Sequence, residues 1–262
     1  MHNIVDIYTR HAHFVERYKT GQFNKFLPFL ARVRRDLRNE LLKTNTVTSQ
    51  KAIKRKLKAI ESMVLAHFRE FTKDFGDQLE LFAQSEVKFG VKSFGNDFDA
   101  ATPMLSRLMA AINSRPFNNK LLRDALNDFG KTQARMIRDA VSMGFFESKT
   151  TPEIINDVIG TAKNKFRDGT MNISRNAASR LVRTSINHVS AVAKDALYKE
   201  NIDLITHYEW ISTLDSRTSD ICKELDGNIY RVGKGRLPPA HPNCRSTTSP
   251  VLKGDPRIKD SL

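Results

Sequence analysis

Ile53, Leu57, Ile60, Val64, Phe68, Phe71, Phe75, Leu79 and Phe82 recur at steps of three or four residues. That is the spacing of one face of an α-helix; a strand would alternate every second residue. The stripe predicts one long amphipathic helix of roughly thirty residues, or about 45–50 Å at 1.5 Å per residue, with Gly76 as a point of interruption. An apolar stripe of this length must be covered, and helices of matching period are the natural cover. The chain holds sixteen Phe. At helical spacing their rings read as packing between helices, and any stripe left over as a docking face for a partner.

The surrounding segments follow the same period. Ile4–Leu42 is helix-rich, with breaks expected near Gly21 and Pro28, since both residues are costly inside a helix. Thr44 to Gln50 is a polar connection, and Ser49 is placed to cap the next helix. Gly90 to Asp99 reads as a break. A helix from Met104 to Ile112 follows Thr102-Pro103, and another runs from Asn118 to Met143. In the latter, Leu122, Leu126, Phe129, Met136, Ile137 and Val141 form the buried face, and Gly144 is the stop. Residues 1–149 thus read as a basic helical module.

Charge narrows the class of partner. There are 43 Lys and Arg against 29 Asp and Glu, a formal net charge of +14. A balance this basic points to a polyanion, nucleic acid first among them. Residues 1–60 alone hold 14 Lys and Arg against four Asp and Glu. Arg32, Arg34 and Arg35, with Lys51, Lys54, Arg55, Lys56 and Lys58, are the candidate nucleic-acid-binding residues. They also suit a merely solvated face. No aromatic residues are interleaved for base stacking, so contact without sequence reading is expected. No apolar run approaches the length that spans a bilayer. The N-terminus lacks the charged-then-apolar pattern of a signal peptide, so action inside a cell, or in a particle assembled there, is the default expectation.

The second half opens with a helix start at Thr151-Pro152-Glu153, with N-cap, proline and acid in order, and Gly160 as its stop. Ser174 is placed to cap the next helix, whose stripe of Ala178, Leu181, Val182, Ser185, Val189, Val192 and Ala196 carries small residues that permit close approach. Arg183 at its edge is expected to pair with Asp215 or Glu209. From Ile205 the period changes to two. His207 to Thr213, Asn228 to Val232 and Thr247 to Leu252 read as three short strands, the second entered through the turn at Asp226-Gly227. The fold class is α+β, mostly α: an N-terminal helical module followed by a helical base with a small C-terminal β-sheet and a Cys/His loop. A polar tail occupies residues 253–262.

Both cysteines, the single Trp and four of the nine prolines fall between Trp210 and Pro250. Cys222, His241 and Cys244 are donors that tetrahedral zinc prefers, and His241-Pro-Asn-Cys244 has the short spacing of a ligand pair. Pro238, Pro239 and Pro242 stiffen that loop, which lowers the entropy cost of closing it on a metal. Asp215 is the first candidate for a fourth ligand, with Asp220, Asp226 or water behind it. One structural zinc is therefore expected. A metal-free packed loop and a Cys222–Cys244 disulfide are the competing readings; two cysteines without a signal peptide argue against the disulfide.

The order Glu209-Trp210-Ile-Ser212-Thr-x-Asp215-x-Arg217-Thr218-x-x-x-Cys222-x-x-Leu225-Asp226-Gly227, then Pro238-Pro239-x-His241-Pro242-x-Cys244-Arg245, resembles the phage Mu F-like minor head protein family, also called the phage head morphogenesis domain. Leu181-Val-Arg183-Thr184 with Ala191, Ala193 and Tyr198 resembles the helix before that motif. The resemblance covers residues 150–252, and Ser246 departs from it where relatives often carry a further cysteine. It implies a minor head protein associated with the portal protein and other capsid proteins, in contact with packaged double-stranded DNA. The implied role is head morphogenesis, DNA packaging or ejection, and the place is the capsid interior or portal vertex, after assembly in the host cytoplasm. The chain shows no complete catalytic set, so it is not expected to be an enzyme. The alternative is a metal-dependent nuclease built on the Cys/His loop with Asp215, Asp220 or Asp226. Thiolates count against it, because nuclease magnesium sites prefer oxygen ligands.

Overall fold

The computed structural model describes residues 4–43, 49–95, 98–116 and 119–258. The expected connection at 44–48, Asn118 and the end of the tail from 259 lie outside the described residues. In chain order the elements are α1 (Ile4–Leu42), α2 (Gln50–Ser93), α3 (Leu105–Ser114), α4 (Leu122–Phe146), α5 (Thr151–Ile159), α6 (Met171–Glu200), β1 (Ile205–Ile211), α7 (Asp220–Leu225), β2 (Ile229–Arg231) and β3 (Thr247–Leu252). The fold is α+β and mostly α. Two compact units divide it: a helical unit of residues 22–76 and 123–181, and a sheet unit of residues 1–21, 77–122 and 182–262. Each unit takes residues from both sides of position 150.

The helical unit is built on phenylalanine. Phe26 and Phe29 of α1, Phe68, Phe71 and Phe75 of α2 and Phe129 of α4 are all buried. Phe26 meets Phe71 edge-on at 4.8 Å between ring centroids, and Phe68 meets Phe129 edge-on at 5.4 Å. Such pairs add about 0.5–1.5 kcal/mol each beyond the area they bury. This explains why α1 continues through Pro28 instead of breaking there. An interior proline costs about 3 kcal/mol, and buried Phe26, Phe29 and Leu30 flank it, each contributing about 1.5–3 kcal/mol.

Chain punctuation differs from expectation in three further places. The α5 cap is Thr150, one residue earlier than predicted, in a reciprocal capping box with Glu153. Helix α4 runs on past Gly144 to Phe146. Gly144 is where Ile154 comes close, since a Cβ there would lie 2.6 Å from the Ile154 side chain. Ser174 is buried inside α6, which starts at Met171.

The sheet unit surrounds the second part of α6, whose residues 184–195 are buried on every side. A helix in that position is usually apolar all round. Here many of its buried side chains are polar, and most bond to a neighbour. Glu86, fully buried on α2, accepts from His11 Nε2 at 2.5 Å and from Ser190 Oγ at 2.5 Å, and its Oε2 lies 3.6 Å from the Lys194 ammonium. Lys194 also donates to Thr247 Oγ1 at 2.7 Å. Lys19, equally buried, donates to Glu16, to Asn187 Oδ1 and to the Cys244 carbonyl. Gly90 lets α2 approach α6: a Cβ there would lie 2.2 Å from Leu197 Cδ2. The break expected over Gly90 to Asp99 falls after Ser93, where α2 ends, and Gly90 itself stays within the helix.

The three expected strands form one antiparallel sheet in the order β2-β1-β3. Tyr208 of β1 stands opposite Tyr230 of β2 and Pro250 of β3, and Trp210 stands opposite Thr248. Tyr208 and Trp210 are fully buried, which fixes the register: a one-residue slip would turn both out to solvent.

Candidate functional site

Trp210, Cys222 and Cys244 share one buried cluster of the sheet unit. Strand β1 delivers Trp210, α7 delivers Cys222, and the loop from Leu237 to Ser246 delivers His241 and Cys244. Ser212 Oγ accepts from the Trp210 indole at 2.9 Å and donates to the Cys222 carbonyl at 2.7 Å. The loop is held from behind by Lys19 on the Cys244 carbonyl and by Thr184 Oγ1 accepting from the Asn243 N–H.

The three expected donors meet. One ligand atom each from Cys222, His241 and Cys244 lies within 4.8 Å of the others. The two Sγ atoms are 3.8 Å apart, and Cys222 Sγ is 3.2 Å from His241 Nε2. Both cysteines are free thiols. His241 Nδ1 lies 2.8 Å from the Pro242 carbonyl, an acceptor only, so Nδ1 carries the proton. In the neutral ring Nε2 is then bare and faces Cys222 and Ser219. A histidine ligand of zinc needs this tautomer, with its outer nitrogen bonded to a carbonyl.

Electrostatics favour ionisation at Cys222. Its thiol is pulled down by the hydrogen bond with Cys244, with Ser219 and Ser246 assisting against burial. Cys244 is pushed up by that same bond and by its own burial. Cys222 and His241 line an open recess of about 230 Å³ together with Arg217, Thr218, Ser219, Asn243 and Arg245, and Cys244 lies buried behind it. Ser219 and Arg217 at this rim were not singled out as site residues; polar surface side chains carry no spacing signal of their own.

Asp215, the expected fourth donor, is engaged elsewhere. Its two oxygens accept from both terminal nitrogens of Arg245 at 2.6 and 2.7 Å, and one accepts from the Arg217 N–H. Arg245, then Arg217, holds the carboxyl well below the usual range. Asp226 accepts from the Ser212 N–H, and exposed Asp220 pairs with Lys223. Arg183 pairs with neither Asp215 nor Glu209; it reaches Glu16 at 3.3 Å, while Glu209 pairs with Arg257.

All eight candidate nucleic-acid residues belong to the helical unit. That unit carries 23 Lys and Arg against 12 Asp and Glu, the sheet unit 20 against 17, so most of the net charge sits in one of them. Lys51, Lys54, Arg55 and Lys58 are exposed. Lys56 is mostly covered and bonded to Glu40 at 2.8 Å, Arg32 pairs with Glu70, and Arg35 pairs with Asp36. Arg34 has no acidic partner among the described residues and lies over the Phe166 ring. Among the described residues no helix is long and apolar enough to cross a membrane.

No curated protein and no solved structure matches the chain. Residues 132–249 match the family described as Phage Mu protein F like protein, and the match takes in α5, α6, the central strand and all three metal-type donors. The family points to phage head morphogenesis and to association with the virion. On that match, residues 132–249, which hold the Trp210–Cys222–Cys244 cluster, are similar to the phage Mu F-like head morphogenesis domain.

Proposed function

We propose that this protein is a minor head protein of a tailed bacteriophage, seated in the capsid interior near the portal and touching packaged double-stranded DNA without reading its sequence. The observation that carries the reading is the phage Mu F-like domain. The concentration of positive charge in the helical unit supports the DNA contact, because phosphate neutralisation needs charge and no particular base.

One structural zinc belongs to this reading, held by Cys222, His241 and Cys244. Two thiolates each about 2.3 Å from a tetrahedral zinc stand about 3.8 Å apart, and the Sγ separation is 3.8 Å. The ion would fasten α7 to the loop that carries His241. The role is proposed as structural rather than catalytic: the nearby carboxylates of Asp215 and Asp226 are committed to Arg245 and to the Ser212 N–H.

Co-expression with the portal protein of the same phage tests the assignment. The expected outcome is co-sedimentation with the portal ring at a defined ratio. Separate sedimentation from an intact ring would sink direct portal docking.

A further inference from the structure

We infer that the proposed zinc keeps one coordination position open to solvent, and that this position takes a small monodentate anion, with water there in its absence. The inference rests on the zinc reading above and adds a ligand to the ion's fastening role.

The donor set stops at three. Among the described residues, the metal-type side chains whose ligand atoms converge are Cys222, His241 and Cys244 alone. Tetrahedral zinc takes four ligands, and proteins supply them as thiolate, imidazole or carboxylate. No fourth donor of these kinds is at hand. Asp215 is gripped by both terminal nitrogens of Arg245, Asp226 accepts from the Ser212 N–H, and neither belongs to the converging group. Ser219 Oγ does lie 2.8 Å from His241 Nε2, but a neutral hydroxyl is not among the usual zinc donors.

The open side faces the recess. Cys244 is fully buried, and Lys19 holds its carbonyl from behind. Cys222 and His241 instead line the recess of about 230 Å³. An ion held by all three is closed off on the Cys244 side and approachable from the recess. The rest of the lining is four hydroxyl side chains, two guanidiniums and one amide, with no carboxylate, thiol or imidazole among them. Zinc with three protein ligands and a solvent-facing fourth position is the form that binds water or an outside ligand; a site closed by four protein ligands does not.

Charge selects an anion for that position. Zinc with two thiolates and a neutral imidazole has no net charge, so the neighbours decide. Asp215 neutralises Arg245 through two short bonds. Arg217 meets the same carboxylate through one nitrogen at 3.4 Å, and its side chain is mostly exposed. One carboxylate against two guanidiniums leaves a positive charge on the recess wall, beside a Lewis-acidic ion. The hydroxyls of the lining can donate to a bound anion.

The test loads the full chain with cobalt(II) in place of zinc, because the visible bands of cobalt report its ligands. Sodium azide is then titrated in. The bands are expected to shift saturably while cobalt stays bound at about one equivalent. Bound cobalt whose bands ignore azide overturns the open position and leaves the zinc reading intact. A chain that takes up neither zinc nor cobalt removes both. Ser219→Cys offers a thiolate at the open side. Once it binds, thiolate-to-cobalt absorption should rise and azide should lose its effect; a persisting azide shift overturns the inference. Should the new thiol stay off the metal, Arg217→Gln is the second variant. Azide should then bind about two- to fivefold weaker, the range of an exposed charge pair, with the azide-free bands unchanged. Azide affinity equal to wild type in that variant overturns the recess as the anion's seat.

Discussion

Cys222 and Cys244 bring their Sγ atoms to 3.8 Å, and the bare Nε2 of His241 lies 3.2 Å from the first of them. That is too far for a disulfide, whose sulfurs are about 2.05 Å apart, and it equals the sulfur–sulfur edge that a tetrahedral zinc would require. Protein purified without chelator should carry about one equivalent of zinc. Chelator should lower its melting temperature, since the proposed metal would link α7 to the 237–246 loop. Elemental analysis well below one equivalent, with melting unchanged in chelator, would refute the site.

Asp215 offers a discriminating variant. Its carboxylate is bound to Arg245 and lies outside the converging donors. Asp215→Asn should leave zinc stoichiometry at the wild-type value, whereas Cys222→Ser and Cys244→Ser should each lower it. Loss of zinc in the Asn variant would restore Asp215 as a ligand.

The buried Glu86 makes stability depend on acid. Burial raises its pKa, but Lys194, His11 and Ser190 outweigh burial and leave it lowered. A lowered carboxyl stabilises fully above its unfolded value of about 4.3, and that stability is lost as pH falls through the folded value. Urea denaturation should therefore show a falling midpoint below about pH 4. Glu86→Gln should flatten that fall. Near neutrality it should cost about 3–5 kcal/mol, because Lys194 stays buried without its counter-charge. A variant as stable as wild type at both ends would show that the pair contributes nothing.

Two glycines of α2 should respond in opposite directions. Gly76 has nothing within 4 Å of where a methyl would stand, whereas a methyl at Gly90 would meet Leu197 at 2.2 Å. Gly76→Ala should stabilise by about 1 kcal/mol through helix propensity. Gly90→Ala should destabilise by about 1–3 kcal/mol through overpacking. Thermal melts of the two variants check both signs.

Helix existence and the strands were legible because burial periodicity is written directly in residues such as Phe68, Phe71 and Phe75, or Tyr208 and Trp210. The Cys222–His241–Cys244 group was legible because its donor types are rare in this chain. The helix interruptions expected at Gly21, Pro28 and Gly76 do not occur, for one reason. A local propensity of about 1–3 kcal/mol is outweighed where large side chains are buried on both flanks; the break over Gly90 to Asp99 does occur, after Ser93, with Gly90 just inside the helix at a close contact with Leu197. Partners were the least legible. Arg183 with Glu16 and Lys19 with the Cys244 carbonyl join residues 167 and 225 positions apart, and no local pattern encodes such a distance.

The interleaving of the two units has a consequence for the growing chain. All of the helical unit has been synthesised once residue 181 has been added, whereas the sheet unit takes residues 182–262 as its third segment. Strand β1 must wait for Thr247–Leu252 before its second edge is paired. The buried ammonium of Lys19 must wait for Asn187 and then Cys244. Translation therefore favours an order in which the phenylalanine core of the helical unit forms while the ribosome is still at work, and the sheet unit closes last. Until then, α6 presents Lys194 and Asn187 without their late-arriving partners, and the nascent chain carries its most exposed polar core in the final stretch of synthesis.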